Sequence, residues 1–423
     1  AMAKRLDGAD DPARGIARSV VVVILVLLGV VLAGAGSIVA RAGTAALIMG
    51  GTGQPDPAAI PSYMQNVEIY YIDPNTSCKV ATCQLVSTFT PEQFWPIPHW
   101  GGLKGLKFDK SVAEGAVDLN AALLSQLVAD PGGSLVVFGY SQSADIVTIE
   151  KRDLASASST VKSQLSFVVI GDPNRPNGGI LERFAPLSIP ILGFTFDGAM
   201  PTDTGISTTD IAFQYDIAAD FPEYPIDILA DLNSLVGLGI HGSYPNTIDG
   251  YTPAELQQAM ADPNNRQVYG DTTYITIPAL NLPLLQPLRN FGVATGTSAL
   301  ITPLADLIQP TLQVLVELGY NRSIPYGQPT RFGLFPPIKP VELASELVAA
   351  AGAGVSAARA DIAAKRALQT PDTTTPGTTI PALIATTSPV PLTTTQAGIS
   401  RPPAHPVTTA AKDGGSAKRR GAH

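Results

Sequence analysis

The chain has 423 residues, of which 45% are hydrophobic and 15% charged, and a formal net charge of −8. That length holds one large α/β domain with additions, and so little charge implies an extensive core. An acidic balance without a basic cluster in mid-chain argues against nucleic acid as a partner, and 39 glycines with 37 prolines argue against a helical bundle.

Residues 1–18 are polar and carry Lys4, Arg5, Arg14 and Arg18, whereas 19–40 contain no charge and include Val20-Val21-Val22-Val23-Ile24-Leu25-Val26-Leu27-Leu28. A helix needs about 20 apolar residues to cross a bilayer, so 19–41 reads as a membrane anchor. The basic residues before it place the N-terminus in the cytoplasm and the rest of the chain outside. The rival reading is a signal peptide cleaved near Ala33-Gly34-Ala35 or Ile38-Val39-Ala40. Both predict export.

Thr44 to Met49 is expected to be the first core strand, followed by Gly50-Gly51-Thr52-Gly53. A glycine-rich loop at a strand's carboxyl end presents backbone N–H groups, and Gly51 and Thr52 become candidates for an oxyanion site. The Gly-Lys-Ser/Thr ending of a phosphate-binding loop is missing, which sets that alternative aside. Val67 to Ile72 reads as a second strand. Cys78 and Cys83 are the only cysteines, and they lack further ligands nearby for a metal. In an exported domain they form a local disulfide, and in the cytosol they would be two free thiols. The aromatic loop Phe94-Trp95-Pro96-Ile97-Pro98-His99-Trp100 either borders a lipid-binding mouth or packs on the domain surface.

Apolar residues at helical spacing (Val112, Ala116, Leu119, Leu123, Leu127) mark a helix over 111–128. Next comes Ser134-Leu135-Val136-Val137-Phe138-Gly139-Tyr140-Ser141-Gln142-Ser143, a short β-branched run turning directly into a helix that reaches Leu154. A serine in such a turn, two residues after a glycine, fits a nucleophile elbow, with the N–H of Gln142 as an oxyanion donor. Taken alone, the pentapeptide also fits an ordinary N-cap serine. Strands follow at 165–170 and 210–215. Alternating strand and helix predicts a doubly wound, mainly parallel sheet with active residues beyond the carboxyl ends of its strands.

Two carboxylates follow the 210–215 strand, Asp216 and Asp220, and Asp220 is the favoured acid because it lies further into the turn. Asp216 is the alternative, and Asp172 ranks third. A helix over 226–236 leads to His241. His99 precedes Ser141, and His405 and His423 lie in a low-complexity tail, so His241 alone can complete Ser, acid and His in α/β-hydrolase order. Another strand is expected at 272–277. The apolar stretches 278–287 and 298–318 read as a lid, an acyl-chain groove or core packing, and 341–367 reads as an alanine-rich helix. From Gln369 the Thr/Pro/Ala-rich tail lacks the periodicity to pack, and it is expected to be disordered.

Met49-Gly50-Gly51-Thr52-Gly53, Phe94-Trp95-Pro96, Phe108-Asp109-Lys110-Ser111-Val112, Gly139-Tyr140-Ser141-Gln142-Ser143, Tyr215-Asp216, Ala219-Asp220-Phe221-Pro222 and His241-Gly242-Ser243-Tyr244 together resemble the PE-PPE domain. This is a cutinase-like serine α/β-hydrolase domain of mycobacteria and relatives, and the resemblance covers roughly residues 43–290. The usual PE or PPE leader is replaced by the hydrophobic segment, as in membrane-anchored members that move acyl groups between trehalose glycolipids. The resemblance implies a triad of Ser141, His241 and an aspartate placed at Asp220. It also implies an acyl-lipid substrate, either esterase or acyltransferase activity, and no cofactor. A short-chain carboxylesterase and a catalytically idle lipid- or protein-binding scaffold are the alternatives. The expected organisation is a cytoplasmic 1–18, an anchor at 19–41, a hydrolase domain at 43–290, a helical extension or lid at 291–367 and a tail at 368–423.

Overall fold

The computed structural model describes residues 43–369. The 19–41 segment and the tail from 370 onward, with the readings placed on them, lie outside these residues. The central feature is a seven-stranded sheet made of β1 (Thr44–Ile48), β2 (Cys83–Ser87), β3 (Ser134–Tyr140), β4 (Leu165–Ile170), β5 (Ser207–Phe213), β6 (Arg266–Tyr269) and β7 (Thr272–Ile277). The spatial order is β2-β1-β3-β4-β5-β7-β6. All neighbours pair in parallel except β6, which joins β7 antiparallel. This is the expected α/β architecture. Its order reverses direction between β1 and β3, the switch point beyond whose carboxyl ends open α/β sheets place their functional residues.

Strand alternation divides the core between the two faces of the sheet. Ala46, Ile48, Val136, Phe138, Val168, Ile170, Ile211 and Phe213 face one way and pack with Tyr63, Val67 and Tyr71. Leu47, Val137, Phe167 and Val169 face the other way, against Leu119, Leu123 and Leu127 of α2 (Phe108–Ala129) and Ile146 and Val147 of α3 (Gln142–Asp153). A central strand of a parallel sheet is buried on both faces, which is why these runs are apolar throughout.

The expected strand at 67–72 is helical instead. Tyr63–Val67 forms α1, and a π-turn over Glu68–Ile72 continues it. Tyr63, Val67 and Tyr71 recur every four residues on one buried side, so the sequence Val-Glu-Ile-Tyr-Tyr-Ile satisfies a helical stripe as well as β alternation. The edge strands β2 and β6 carry no clear strand signal, because neither is buried on both faces: β2 is partly covered and β6 is mostly exposed.

Beyond β5, α4 (Ile228–Val236) is followed by the single-turn α5 (Leu238–His241) and then α6 (Pro253–Ala261). After β7 come α7 (Gln286–Ala294), α8 (Ser298–Glu317) and α9 (Pro340–Gln369), with α8 and α9 packed together. Leu282, Leu285, Val316 and Tyr320 share a buried cluster with Tyr215 and Ala230, beside the carboxyl end of β5. The chain after the sheet therefore packs against the turn that carries Asp216.

Candidate active site

Ser141 sits between the last residue of β3 and the first of α3, with φ 57° and ψ −117°. A non-glycine residue in that region stores about 1–3 kcal/mol of strain, and neighbours on both sides hold it in place. The Ser141 N–H donates to the Ile170 carbonyl at 3.2 Å, and the Ala144 N–H donates to the Ser141 carbonyl at 2.9 Å. Gly139 lets the helix approach, since a Cβ there would lie 2.7 Å from the Ser143 carbonyl oxygen and 2.8 Å from Val147 Cγ2. Ser143 stands where the usual elbow has a second glycine. Its hydroxyl accepts from the Tyr140 N–H at 2.8 Å and donates to the Tyr140 carbonyl at 3.1 Å, so the extra atoms are bound into the turn.

His241 ends α5 and spans the gap between serine and carboxylate. Its Nε2 lies 2.8 Å from Ser141 Oγ, and its Nδ1 lies 2.8 Å and 3.1 Å from the two oxygens of Asp216. The imidazole has room because Gly171, at the end of β4 with φ +56°, has no side chain. A Cβ there would stand 3.0 Å from His241 Cε1 and 3.3 Å from Asp216 Oδ2. From below, the Tyr140 hydroxyl donates to the His241 carbonyl at 2.5 Å. Asp216 is fully buried, and burial alone would raise its pKa. Electrostatic attraction to His241 with the hydrogen bond from it, the Tyr244 hydroxyl (2.7 Å) and the Ala218 N–H (2.7 Å) outweigh that and hold it below the ordinary carboxylate value. Burial and the adjacent Asp216 push the Tyr244 phenol up, so it stays protonated and donates.

Asp220, the expected acid, does not meet His241. Its carboxylate accepts from Arg322 at 2.5 Å and 3.0 Å and from the Tyr215 N–H at 2.8 Å. The physical reason lies in where the strand stops. β5 ends at Phe213 rather than Tyr215, so Asp216 is already three residues into the turn, where the acid was sought. Asp172 is also buried elsewhere, accepting from the Asn174 N–H at 2.9 Å. His99 is exposed on a separate short turn.

Of the three expected oxyanion donors, Gly51 is otherwise engaged, because its N–H donates to Gln54 Oε1 at 3.1 Å. Gly51 marks the closest pass of its loop to the elbow, where a Cβ would lie 2.8 Å from the Tyr140 ring and 3.2 Å from Ser141 Cβ. Thr52 and Gln142 are linked through their side chains, and Gln93 and Ser111, which no local signal singles out, join them. The Gln142 amide donates to Thr52 Oγ1 and to the Gln93 carbonyl, both at 3.2 Å, and accepts from Ser111 Oγ at 2.7 Å. The Gln142 N–H belongs to the first turn of α3, where no helical carbonyl is available to it.

The same loop is anchored by the Glu92 carbonyl, which accepts from the Gly53 N–H at 2.7 Å. The Glu92 carboxyl is wholly buried, and burial pushes it up to about 8 against the hydrogen bond from Thr90. In the aromatic loop, Phe94 packs on Phe108 and Phe194 at ring separations of 5.3 Å and 5.6 Å, so this ring lies in the domain. Cys78 and Cys83 are joined in a disulfide. Among the described residues no group of three or more His, Cys, Asp or Glu side chains is placed to hold a metal ion.

Arranged this way, the groups have the geometry for general-base activation of a hydroxyl. Known proteins carry related sequences. A Mycobacterium tuberculosis protein described as Esterase PE16 is 43% identical over 319 residues, covering 74% of this chain and 56% of its own. Two acyltransferases of the same organism are more distant. SL1278 acyltransferase Chp1 is 28% identical, covering 58% of this chain and 57% of its own, and Diacyltrehalose acyltransferase Chp2 is 26% identical, covering 54% and 62%. This chain thus spans little more than half the length of these relatives. The PE-PPE domain matches residues 81–321, from just before β2 to just past α8, and the chain belongs to the PE-PPE domain family.

Proposed function

We propose that this chain is an exported serine enzyme that takes acyl groups from lipid esters of the cell envelope through an acyl-serine intermediate. The observation that carries the reading is the single imidazole standing 2.8 Å from both Ser141 Oγ and Asp216 Oδ1, with the serine held in a left-handed turn. Asp216 accepts the Nδ1–H of His241, which leaves Nε2 to take the serine proton as Oγ attacks the ester carbonyl carbon. Negative charge then develops on the carbonyl oxygen, near the N–H groups of Gln142 and Thr52. As the carbon–oxygen ester bond breaks, His241 returns the proton to the leaving alcohol. Water or a second alcohol, deprotonated by His241, then attacks the acyl-serine and regenerates Ser141.

Export is supported by the uncharged 19–40 segment and by the Cys78–Cys83 disulfide, a bond that oxidising compartments preserve. A trehalose-type lipid is the substrate class proposed, since one relative carries diacyltrehalose in its name. The second reading is a carboxylesterase of short acyl chains, and hydrolysis rather than transfer is favoured by the higher identity to Esterase PE16. The test is to incubate purified protein with a diacylated trehalose and resolve the products by mass spectrometry. Transfer yields a more highly acylated trehalose, and hydrolysis yields free fatty acid. A protein that does neither, with Ser141→Ala indistinguishable from wild type on soluble esters as well, would be a binding scaffold.

A further inference from the structure

The turn that delivers Asp216 is not self-supporting. Tyr215, immediately before it, has φ +69° without being glycine or asparagine, a conformation that persists only where surroundings fix it. Its N–H is fixed by Asp220 Oδ2 at 2.8 Å, and its hydroxyl by Glu317 Oε1 at 2.9 Å. The neighbouring Gln214 amide also donates to Glu317, at 2.8 Å. The Asp220 N–H closes the turn by donating to the Asp216 carbonyl at 2.8 Å.

Both anchoring carboxylates meet one cation. The Arg322 guanidinium donates to the two oxygens of Asp220 at 2.5 Å and 3.0 Å, and to those of Glu317 at 3.0 Å and 3.2 Å. It lies 4.1 Å from the centre of the Tyr320 ring, which packs edge-on against the Tyr215 ring at 5.8 Å. A planar fork can satisfy two carboxylates at once, which a lysine ammonium cannot do with the same geometry. Arg322 lies 106 residues beyond Asp216, past the end of α8, so the chain after the sheet reaches back to hold the turn.

We infer that Arg322 is a positioning residue for Asp216, acting through Asp220 and Glu317 on the backbone of Tyr215. The inference rests on the triad reading above, and it makes the residues after the sheet part of the acid's support. Displacing a reacting group by about 1 Å costs on the order of 100-fold in rate. Arg322→Met should therefore lower kcat on p-nitrophenyl butyrate by roughly 10- to 100-fold while KM stays within a factor of about 3. Arg322→Lys should recover only part of the loss.

Because Arg322→Met leaves the buried Asp220 and the half-buried Glu317 without their cation, the double variant Arg322→Met with Asp220→Asn is measured alongside it, removing the buried charge. The second readout is the downfield proton resonance of the His241 Nδ1–H bonded to Asp216. It should move upfield or broaden away in the folded Arg322→Met and double variants and persist in wild type. Lower thermal stability, with kcat per folded molecule and this resonance both unchanged in Arg322→Lys and in the double variant, would overturn the inference. A wild type that shows the resonance, and loses it on substitution, yet turns over no ester would leave the positioning intact and sink the proposed activity instead.

Discussion

The two halves of the candidate triad are built differently. On the nucleophile side, the turn that shapes Ser141 is built mostly from residues next to it: Gly139 admits the helix, Ser143 ties off Tyr140, and β3 supplies the rigid base, with the Ile170 carbonyl of the adjoining strand receiving the Ser141 N–H. On the acid side, Asp216 depends on Tyr244, 28 residues away, and its turn depends on Glu317 and Arg322, about 100 residues away. A locally encoded elbow is positioned as soon as its strand is in the sheet. A turn held by distant ion pairs is positioned only when the chain after the sheet has docked.

The strongest way to break this comparison is to exchange the two neighbouring carboxylates. Asp216→Asn should lower kcat by about 10³- to 10⁴-fold, since the amide favours the wrong imidazole tautomer. Asp220→Asn, which keeps an oxygen for the Tyr215 N–H, should cost only about 10-fold. Equal losses in a steady-state assay would remove the distinction between an acid and its support.

The loop completing the nucleophile side gives the next largest effect, and it depends on pH. Glu92 titrates near 8 in the folded protein against an ordinary value of 4.5. The folded state therefore holds the extra proton between those values, and the stability this contributes is full below about pH 4.5 and is lost as pH rises through 8. Glu92→Gln has no charge to bury, so its advantage over wild type should grow to a few kcal/mol across that window. Thermal melts at a series of pH values read this directly, and parallel curves would show that the buried carboxyl does not titrate as described.

Smaller effects test how local the elbow is. Gly139→Ala forces a methyl to within 2.7 Å of the Ser143 carbonyl, and the overpacking should cost about 1–3 kcal/mol while displacing Ser141. Ser143→Ala removes two hydrogen bonds to Tyr140 and should cost about 1 kcal/mol in denaturant unfolding. A Gly139→Ala protein with wild-type stability would mean that α3 shifts freely away from β3, against the packing described.

The same contrast explains what could be read from the chain alone. The elbow strand, its helix and the 272–277 strand were legible because apolar runs, periodicity and a glycine two residues before a serine are all local signals. His241 followed by elimination among four histidines. Asp216 and Asp220 could not be separated locally, because the choice turns on β5 ending at Phe213 and on an arginine far along the chain. Tyr244 and Gly171 likewise touch His241 or Asp216 only after folding. The 67–72 stretch reads as a strand from its local pattern, whereas its helical state depends on Tyr63, Val67 and Tyr71 sharing one buried side.

Covalent labelling tests the central claim most directly. A fluorophosphonate probe reacts with a serine only when a neighbouring base activates the hydroxyl. The account predicts that folded wild type is labelled on the peptide containing Ser141 and that Ser141→Ala and His241→Ala are not. A folded wild-type protein that stays unlabelled, or a Ser141→Ala variant labelled as fast as wild type, would contradict it.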